Sequence, residues 1–263
     1  MAQHEGTHRP VALVTGAASG IGAAAARLIM ADGDAELVVA DRNDEGLDAL
    51  VATLPRPHDV VSITLDVTDE AAWARATVSI RDRFGRLDWV VASAGVTFGA
   101  LITDTRLEDW RRVLSINLDG IFLTLRATLP LIRAGGHGGA VVVISSAAGV
   151  KAEAGVGAYG ASKAGALQLA KIAAKEGAPD RIRVNTLLPG GVETPMWQDL
   201  PFFHQLVQEN GSERAAFDAL ATLATPLGRY STAEEMATLI LFLLRDAPTV
   251  TGTALVADGG YTL

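Results

Sequence analysis

The amino-acid sequence predicts an α/β fold built on a doubly wound parallel sheet. Short runs of β-branched residues alternate with longer amphipathic or alanine-rich stretches from Val11 to the end of the chain. Some of the short runs are apolar throughout, such as VVVIS at 141–145, which is typical of strands buried on both faces of a sheet. Repetition of strand, helix and strand produces right-handed βαβ units. We therefore expect about seven parallel strands with helices on both faces.

The predicted elements follow one another in a regular order. The expected strands lie at 11–15, 37–40, 60–65, 89–92, 140–145, 183–188 and 253–256. The expected helices lie at 20–32, 44–53, 69–83, 107–133, 157–176 and 232–245. Because no linker rich in proline or serine divides the chain, we expect residues 1–263 to form a single domain, with 1–9 as a polar tail.

The composition excludes several classes of protein. The chain has no cysteine, so it has neither disulfides nor thiolate-bound zinc or iron–sulfur centres. Only His4 and His8 have the spacing of helical metal ligands, and they lie in the polar tail, so we expect no metal. The net charge of −8 argues against nucleic acid or an anionic membrane as the main partner. With no apolar run near the roughly 20 residues of a membrane helix and no secretory signal pattern, we expect a soluble cytoplasmic protein.

One segment departs from the regular alternation of strands and helices. Residues 195–227 are bounded by prolines and contain Trp197, Phe202, Phe203 and Phe217. They lie between the sixth strand and the last helix, where a parallel sheet usually connects within a few residues. The segment is either a lid over a ligand or an elaboration of the surface. We favour a substrate lid, because loops at the carboxyl ends of strands usually carry the ligand in such sheets.

A glycine-rich turn follows the first strand. The sequence TGAASGIG at 15–22 leads directly into an alanine-rich helix. Glycines at this place let the backbone approach a pyrophosphate, and the helix N-terminus adds unpaired N–H groups and a positive dipole end. The spacing G-x-x-x-G-x-G differs from the common dinucleotide fingerprint, so a tight turn with close helix packing is the alternative. The predicted cofactor-binding residues of this turn are Gly16, Ser19, Gly20, Ile21 and Gly22.

Acidic residues at the ends of the next two strands favour NAD as the cofactor. Asp41 ends the second strand about 20 residues after the glycine turn, where a carboxylate can bond the ribose hydroxyls and would repel the 2′-phosphate of NADP. Arg42 follows directly and can turn toward a phosphate, which weakens the distinction. Asp66, after the third strand, either meets the adenine amino group or caps the following helix, and both interpretations stay open.

A tyrosine and a lysine indicate acid–base chemistry. Tyr159 and Lys163 are four residues apart, so on a helix their side chains share one face. A lysine near a phenol favours the phenolate and lowers its pKa from about 10, which makes Tyr159 an acid or base near neutrality. Ser146, which with Ser145 ends the fifth strand, can donate a hydrogen bond to a substrate oxygen where negative charge gathers. Taken alone, such a tyrosine–lysine pair is usually a surface feature.

These motifs, in this order, resemble those of the short-chain dehydrogenase/reductase family in its compact, single-domain form. The resemblance covers essentially the whole chain. It rests on TGAASGIG at 15–22, Asp66-Val67, SAG at 93–95, Asn117 in INLDG, Ser146, YGASK at 159–163 and PGGVET at 189–194. The resemblance implies that the chain is a Rossmann-like, dinucleotide-binding oxidoreductase domain.

The resemblance also implies roles for the catalytic residues. Tyr159 would protonate the carbonyl oxygen during reduction or deprotonate the alcohol during oxidation. Ser146 would orient the substrate oxygen, with Ser145 as the less favoured choice. Lys163 would lower the tyrosine pKa and bond the nicotinamide ribose, and Asn117 would hold a water that links Lys163 to solvent. The alternative for Asn117 is a polar kink in a long helix.

Further cofactor contacts follow from the same resemblance. The turn after the sixth strand would receive the nicotinamide carboxamide and the pyrophosphate. Ser93 stands where the family usually has asparagine, and we expect a small structural cost with catalysis intact. Glu193 either points to solvent, which we favour, or faces the substrate. The remaining predicted cofactor-binding residues are Val67, Ser93, Gly95, Pro189, Gly190, Val192 and Thr194, together with Asp41, Arg42, Asp66, Tyr159 and Lys163.

We expect an NAD-dependent enzyme that interconverts a secondary alcohol and a ketone. A catalytically silent NAD-binding regulator or scaffold is the alternative, and the complete set of catalytic residues argues against it. Phe98 and the aromatic residues of the lid suggest a hydrophobic pocket for a cyclic or aryl ketone, with ordinary lid packing as the alternative. The resemblance also implies a homotetramer that packs through 107–133 and 157–176.

Overall fold

The computed structural model describes residues 9–32 and 35–263. The polar tail predicted at 1–9 therefore lies outside the described residues except for Arg9. His4 and His8, the two histidines with helical ligand spacing, lie outside them as well.

A parallel sheet forms the centre of the molecule. The described residues form nine strands: β1 (Val11–Thr15), β2 (Glu36–Asp41), β3 (Val60–Thr64), β4 (Trp89–Ala92), β5 (Gly139–Ile144), β6 (Ile182–Pro189), β7 (Val192–Glu193), β8 (Ser231–Thr232) and β9 (Ala254–Ala257). Seven of them make one sheet in the order β3-β2-β1-β4-β5-β6-β9, with every neighbouring pair parallel. β7 and β8 pair with each other as a short second sheet. The predicted doubly wound, seven-stranded sheet is confirmed. Its strand order reverses between β1 and β4, which is where such sheets bind ligands.

Helices cover both faces of the sheet, as predicted. They are α1 (Gly20–Ala31), α2 (Asp44–Thr53), α3 (Glu70–Phe84), α4 (Leu107–Leu114), α5 (Gly120–Gly135), α6 (Gly157–Gly177), α7 (Pro201–Asn210), α8 (Glu213–Ala224) and α9 (Ala233–Leu241). Buried side chains of α1, α2 and α9 pack on one face, and those of α3, α5 and α6 pack on the other. Small alanines along α1 allow it to lie close to α9, while Trp73 fills space beneath α3.

The long helix predicted at 107–133 is interrupted. α4 ends at Leu114, and a π-helical turn at Ser115–Asp119 connects it to α5. A π turn inserts an extra residue into the helical repeat and so changes the direction of its side chains. Here it places Asn117 in the interior. The helix predicted at 232–245 likewise changes to a π turn, at Phe242–Asp246.

The segment predicted as a lid, 195–227, is mostly helical. A 3-10 turn at Pro195–Asp199 leads into α7 and α8. Aromatic rings of this segment pack against one another and against a tyrosine just beyond it. We call this group the aromatic cluster: Trp197, Phe202, Phe203, Phe217 and Tyr230. The segment therefore has a small core of its own beside the two cores of the sheet.

Two further properties concern only the residues that the structure describes. None of their helices combines the length and the apolar character that crossing a membrane requires. Within the same ranges, 9–32 and 35–263, no three histidine or acidic side chains lie close enough together to hold a metal ion.

Candidate active site

The predicted site residues meet at the carboxyl edge of the sheet. The glycine turn follows β1, Asp41 ends β2, Ser146 follows β5 and Pro189 ends β6. Because parallel strands place their carboxyl ends at one edge, these residues border a single crevice. The fold therefore brings together residues that are up to about 170 positions apart in sequence. This is possible because every crossover between neighbouring parallel strands contains a helix.

The glycines of the turn have different functions. Gly16 has a φ of 67°, and a Cβ at this position would lie 2.7 Å from the backbone of Ala94. A Cβ on Gly22 would lie 2.1 Å from the carbonyl oxygen of Gly16. Gly20 has a φ of 53°, and its own Cβ would lie 3.4 Å from the Thr194 side chain. Gly16 and Gly22 thus permit close packing, whereas Gly20 lies across from the turn after β6.

The N-terminus of α1 is suited to an anion. Ser19 is the N-cap residue, but its side chain does not bond the first turn of the helix. That turn also contains no acidic side chain. Its backbone N–H groups and the positive end of the helix dipole are therefore available to a negatively charged group. Together with the glycine cradle, these residues fit the pyrophosphate of a dinucleotide.

Asp41 is held against the glycine turn by backbone hydrogen bonds. Its Oδ2 accepts from the N–H of Ala18 at 3.1 Å, and its Oδ1 accepts from the N–H of Asn43 at 2.9 Å. Each carboxylate oxygen can accept a further hydrogen bond, so the two bonds leave capacity for ribose hydroxyls. The geometry fits the predicted position of a ribose-binding carboxylate.

Asp66 does not cap the following helix. Asp69 is the cap, because its Oδ1 accepts from two N–H groups in the first turn of α3, at 2.8 and 3.0 Å. Asp66 Oδ1 accepts instead from the N–H and the hydroxyl of Thr68. These hydrogen bonds lower the pKa of Asp66, and the nearby charge of Arg42 lowers it further. The alternative interpretation of Asp66 as a helix cap was therefore wrong, and Arg42 lies on the Asp66 side of the site.

The two adjacent serines after β5 have different partners. Ser145 is buried, and its hydroxyl donates to the carbonyl oxygen of Lys163 at 2.8 Å. Ser146 Oγ accepts from the N–H of Ala148 at 3.2 Å, and its hydroxyl lies near enough to that of Tyr159 to lower the pKa of the phenol. Ser145 therefore fixes α6 to the end of β5, whereas Ser146 presents its hydroxyl beside the tyrosine.

The pKa of Tyr159 differs from the sequence prediction. The residue lies in the first turn of α6 with one edge partly exposed. Burial raises the pKa of the phenol, and the nearby hydroxyl of Ser146 offsets part of this rise. Lys163 Nζ lies 5.7 Å from the ring centre and donates to the carbonyl oxygen of Ile144 at 3.0 Å. The pKa of Tyr159 is therefore raised by burial, opposite in direction to the lowering predicted from Lys163.

Lys163 is charged although it lies in the interior. Its side chain is on a residue only 5% exposed, and burial lowers its pKa to about 8. The ammonium is still the major form at pH 7. A Cβ on Gly95 would lie 3.3 Å from Lys163 Nζ and 3.3 Å from Asn117 Oδ1. The loop after β4 therefore has little room for a side chain beside these two groups.

Asn117 joins the loop after β4 to α6. It is 0% exposed, and its Oδ1 accepts from the N–H of Val96 at 2.8 Å. Its Nδ2 donates to the Val96 carbonyl oxygen at 2.9 Å and to Ser162 Oγ at 3.1 Å. Ser162 in turn donates to the Tyr159 carbonyl oxygen at 2.7 Å. Sequence reasoning missed Ser162, for which the signal was its place inside YGASK, directly before Lys163.

Comparisons with known proteins agree with this geometry. The profile of the family described as enoyl-(acyl carrier protein) reductase matches residues 16–262. The chain is 38% identical over 256 residues to the 3-oxoacyl-[acyl-carrier-protein] reductase FabG of Thermotoga maritima, which covers 96% of this chain and 98% of that protein. It is 35% identical over 260 residues to trans-4-hydroxycyclohexanecarboxylate dehydrogenase of Sinomonas cyclohexanicum, with 96% of this chain and 92% of that protein covered. The chain belongs to the short-chain dehydrogenase/reductase family.

A solved structure agrees with the family assignment. Carveol dehydrogenase from Mycobacterium avium in complex with NAD is similar with a TM-score of 0.90 and 29% sequence identity, covering 97% of this chain and 98% of that one. Membership in the short-chain dehydrogenase/reductase family makes the protein an oxidoreductase that binds a nicotinamide cofactor, since its relatives are dehydrogenases and reductases.

In this short-chain dehydrogenase/reductase, Glu193 has a function that the sequence did not suggest. The predicted alternatives were solvent and substrate. Instead, its carboxylate pairs with the guanidinium of Arg214 on α8, with Nη1 and Oε1 3.0 Å apart. The ion pair between Glu193 and Arg214 ties the turn after β6 to the lid.

Ser93, which stands where the family usually has asparagine, donates its backbone N–H to Thr15 Oγ1 at 3.3 Å.

The turn after β6 is tightly packed. A Cβ on Gly190 would lie 2.8 Å from the Cα of Asp258. Val192 pairs with β8 and accepts a hydrogen bond from Trp197 at its carbonyl oxygen, while Thr194 precedes the 3-10 turn. This turn of the short-chain dehydrogenase/reductase therefore contacts both the lid and the C-terminal segment.

The lid aromatics divide into two groups. Phe203 is 2% exposed and Trp197 contacts four other rings, so ordinary lid packing accounts for both. Phe202 is 48% exposed although its ring meets Trp197 edge-on, and Phe98 is partly exposed in the loop after β4. Phe203 is thus buried, whereas Phe98 and Trp197 are partly exposed and Phe202 is exposed.

Proposed function

We propose that the protein is an NAD(H)-dependent oxidoreductase that interconverts a secondary alcohol and a ketone. One observation supports this most directly: the hydroxyl of Ser146 lies near enough to that of Tyr159 to lower the pKa of the phenol, at the same sheet edge as the glycine turn. Two adjacent hydroxyls can bind one substrate oxygen together. A bound nicotinamide supplies or accepts the hydride.

Tyr159 is the general acid and base of the proposed reaction. Because burial raises its pKa, the hydroxyl stays protonated at neutral pH and can donate its proton to a carbonyl oxygen. In the oxidation direction the phenol must release a proton before it can accept one from an alcohol. The nearby ammonium of Lys163 favours that release, since a positive charge stabilises the phenolate.

Ser146 and the Asn117 contacts support this proton transfer in different ways. The Ser146 hydroxyl lies near that of Tyr159, so a substrate oxygen placed between the two receives a second donor as negative charge develops on it. Asn117, through Ser162, contacts the backbone of the turn that carries Tyr159. We propose that Asn117 and Lys163 keep α6 in register with the loop after β4, in addition to any solvent link.

NAD is the preferred cofactor in this proposal. Asp41 lies against the glycine turn and carries a full negative charge close to the expected ribose. A 2′-phosphate at that place would be repelled. The charge of Arg42 also acts on Asp66, whose pKa it lowers.

A ring-shaped secondary alcohol is the substrate class we favour. The relative from Sinomonas cyclohexanicum acts on a hydroxycyclohexane ring, as its name states. Phe98, in the loop after β4, and Phe202, on the lid, keep apolar surface exposed in segments that follow strands of the sheet. We therefore propose a cyclic or aryl ketone or its alcohol.

Nicotinamide absorbance tests the proposal. Purified protein is given NAD and NADP in parallel with cyclic, aryl and polyol secondary alcohols, and the same panel is repeated with Tyr159→Phe. We expect NAD reduction with at least one ring alcohol, and a loss of roughly 10²–10⁴-fold in the variant. NADH binding measured by fluorescence should stay nearly unchanged in Tyr159→Phe. Full activity in that variant would refute the acid–base role, and binding without turnover across the panel would favour an NAD-binding regulator.

The proposed assembly is a homotetramer. Exposed apolar side chains lie on the helices expected to form its interfaces, including Leu107 on α4, Phe122 on α5 and Ile172 on α6. Burial of such side chains between subunits is favourable. Light scattering should give four times the 27.4 kDa mass of the chain; a mass of one chain would contradict the proposal.

A further inference from the structure

The aromatic cluster contacts the turn after β6 at two places. The indole Nε1 of Trp197 donates to the carbonyl oxygen of Val192 at 2.8 Å. A Cβ on the neighbouring Gly191 would lie 2.3 Å from the ring of Tyr230, so the backbone of Gly191 lies directly on that ring. The proposed proton transfer uses neither contact. Both act on the peptide segment between β6 and the lid.

Trp197 is itself fixed by the aromatic cluster. Its ring stacks on Tyr230, with centroids 5.5 Å apart and planes at 24°. It also meets Phe217 edge-on, with centroids 5.9 Å apart and planes at 84°. Large side chains with two rotatable bonds lose little freedom when packed in this way. The indole N–H is therefore oriented toward Val192 before any ligand arrives.

We infer that Trp197 is a positioning residue for the nicotinamide end of the cofactor site. Its N–H and the ring of Tyr230 hold residues 191–192 in the conformation in which this turn receives the nicotinamide. The inference rests on the proposed function, because it requires that the turn bind the nicotinamide. A carbonyl oxygen accepts two hydrogen bonds, so the bond from Trp197 leaves the Val192 oxygen able to accept another.

The test compares two ligands that differ at the nicotinamide. Trp197→Phe keeps a ring in the cluster but lacks the N–H. Calorimetric titration of the full chain gives the Kd of NADH and the Kd of ADP-ribose, which lacks nicotinamide. We expect NADH to bind about five-fold more weakly, the effect of one lost hydrogen bond, with ADP-ribose unchanged. Equal weakening of both ligands, unchanged NADH binding or tighter NADH binding would each overturn the inference.

A second variant separates the N–H from the packing. Phe217→Leu removes a ring that contacts Trp197 but keeps the indole donor. We expect it to lower the Tm and to leave the ratio of the two Kd values at that of the natural chain. The same change of ratio as in Trp197→Phe would assign the effect to packing and overturn the inference. Trp197→Met, which also lacks the donor, replaces Trp197→Phe if the latter does not fold.

The outcomes distinguish the inference from the function on which it rests. If the natural chain binds ADP-ribose but gains nothing from the nicotinamide of NADH, the proposed function and the inference both fail. If the natural chain binds NADH more tightly than ADP-ribose and Trp197→Phe keeps this advantage, only the inference fails.

Discussion

The two ends of the proposed dinucleotide site are built in different ways. At the end formed by β1 to β3, Asp41 is partly exposed and Asp66 is exposed. Both accept hydrogen bonds from backbone N–H groups of the turns that follow the strands. At the end formed by β4 to β6, Asn117 and Lys163 are buried, and they bond to backbone groups of the loop after β4 and of β5. A buried polar group that loses its partner costs far more than an exposed one. Substitutions at the first end should therefore change cofactor choice, whereas those at the second should change chemistry and stability together.

The largest effect should come from Ser146, and its neighbour provides the control. Ser146→Ala removes the hydroxyl beside Tyr159, and we expect kcat/KM to fall by about 10²–10³-fold with little change in Tm, as for other lost donors to a developing oxyanion. Ser145→Ala removes the bond to the Lys163 carbonyl oxygen, so it should lower the free energy of unfolding by about 1 kcal/mol and affect the rate much less. Initial rates and thermal unfolding of both variants decide the matter. A larger rate loss in Ser145→Ala would exchange the two roles.

Substitution of Asn117 should give the next largest effect, and this effect should be a lower free energy of unfolding. Asn117→Ala leaves the N–H and carbonyl of Val96 without their partner and removes the donor to Ser162, so we expect unfolding to become easier by about 3 kcal/mol. Ser162→Ala, which breaks only one of these bonds to Asn117, should cost about 1 kcal/mol. Urea unfolding of both variants measures this. If Asn117→Ala were as stable as the natural chain, this end of the site would not be a connected network.

The buried ammonium of Lys163 should lower the free energy of unfolding at neutral pH. Burial holds its pKa at about 8 in the folded state, below its ordinary 10.5, so the unfolded chain binds more protons between these values. The stability that this residue contributes is therefore present above pH 10.5 and is lost as the pH falls through 8. The lowered pKa of Lys163 corresponds to a cost of roughly 3 kcal/mol in the free energy of unfolding at pH 7. A variant without the ammonium recovers this energy but loses the hydrogen bond to Ile144, so its net gain is smaller.

Lys163→Met should accordingly be more stable than the natural chain at pH 7, by about 2 kcal/mol, although inactive. The difference should shrink as the pH rises and reverse above pH 10.5, where only the lost bond to Ile144, about 1 kcal/mol, remains. Thermal unfolding across this range measures it, with Lys171→Met as the control, because Lys171 is exposed on the same helix. A variant less stable than the natural chain at pH 7 would show that the interior satisfies the ammonium without cost.

The sequence predicted the sheet and the positions of the site residues because both depend on local patterns. Continuous apolar runs identify strands that are buried on both faces, and strand ends identify the edge where ligands bind. The π turn around Asn117 was not predictable, since hydrophobic periodicity runs through it with little interruption. Asp66 and Asp69 both precede α3, and only the geometry shows which of them caps it.

Properties that depend on tertiary contacts were the ones that sequence could not supply. The direction of the Tyr159 pKa depends on how closely neighbouring segments pack around its hydroxyl, which no spacing of residues reveals. The pair between Glu193 and Arg214 joins residues that are 21 positions apart across two elements of the lid region. Both examples belong to the β4–β6 end of the site or to the lid that contacts it. The exposed end, whose residues follow directly from the strand ends and the glycine turn, was the easier one to predict.

Asp41 should show the smallest effect, and it tests the exposed end alone. Asp41→Ala removes the charge that would repel a 2′-phosphate, so we expect the ratio of kcat/KM for NAD to that for NADP to fall about ten-fold, or ~1.4 kcal/mol. Asp48→Ala removes the same charge from an exposed position on α2 and should leave the ratio unchanged. If both variants shifted the ratio equally, net charge would explain the preference. If neither variant changed the ratio, cofactor choice would depend on the buried end. The proposed difference in function between the two ends would then be wrong.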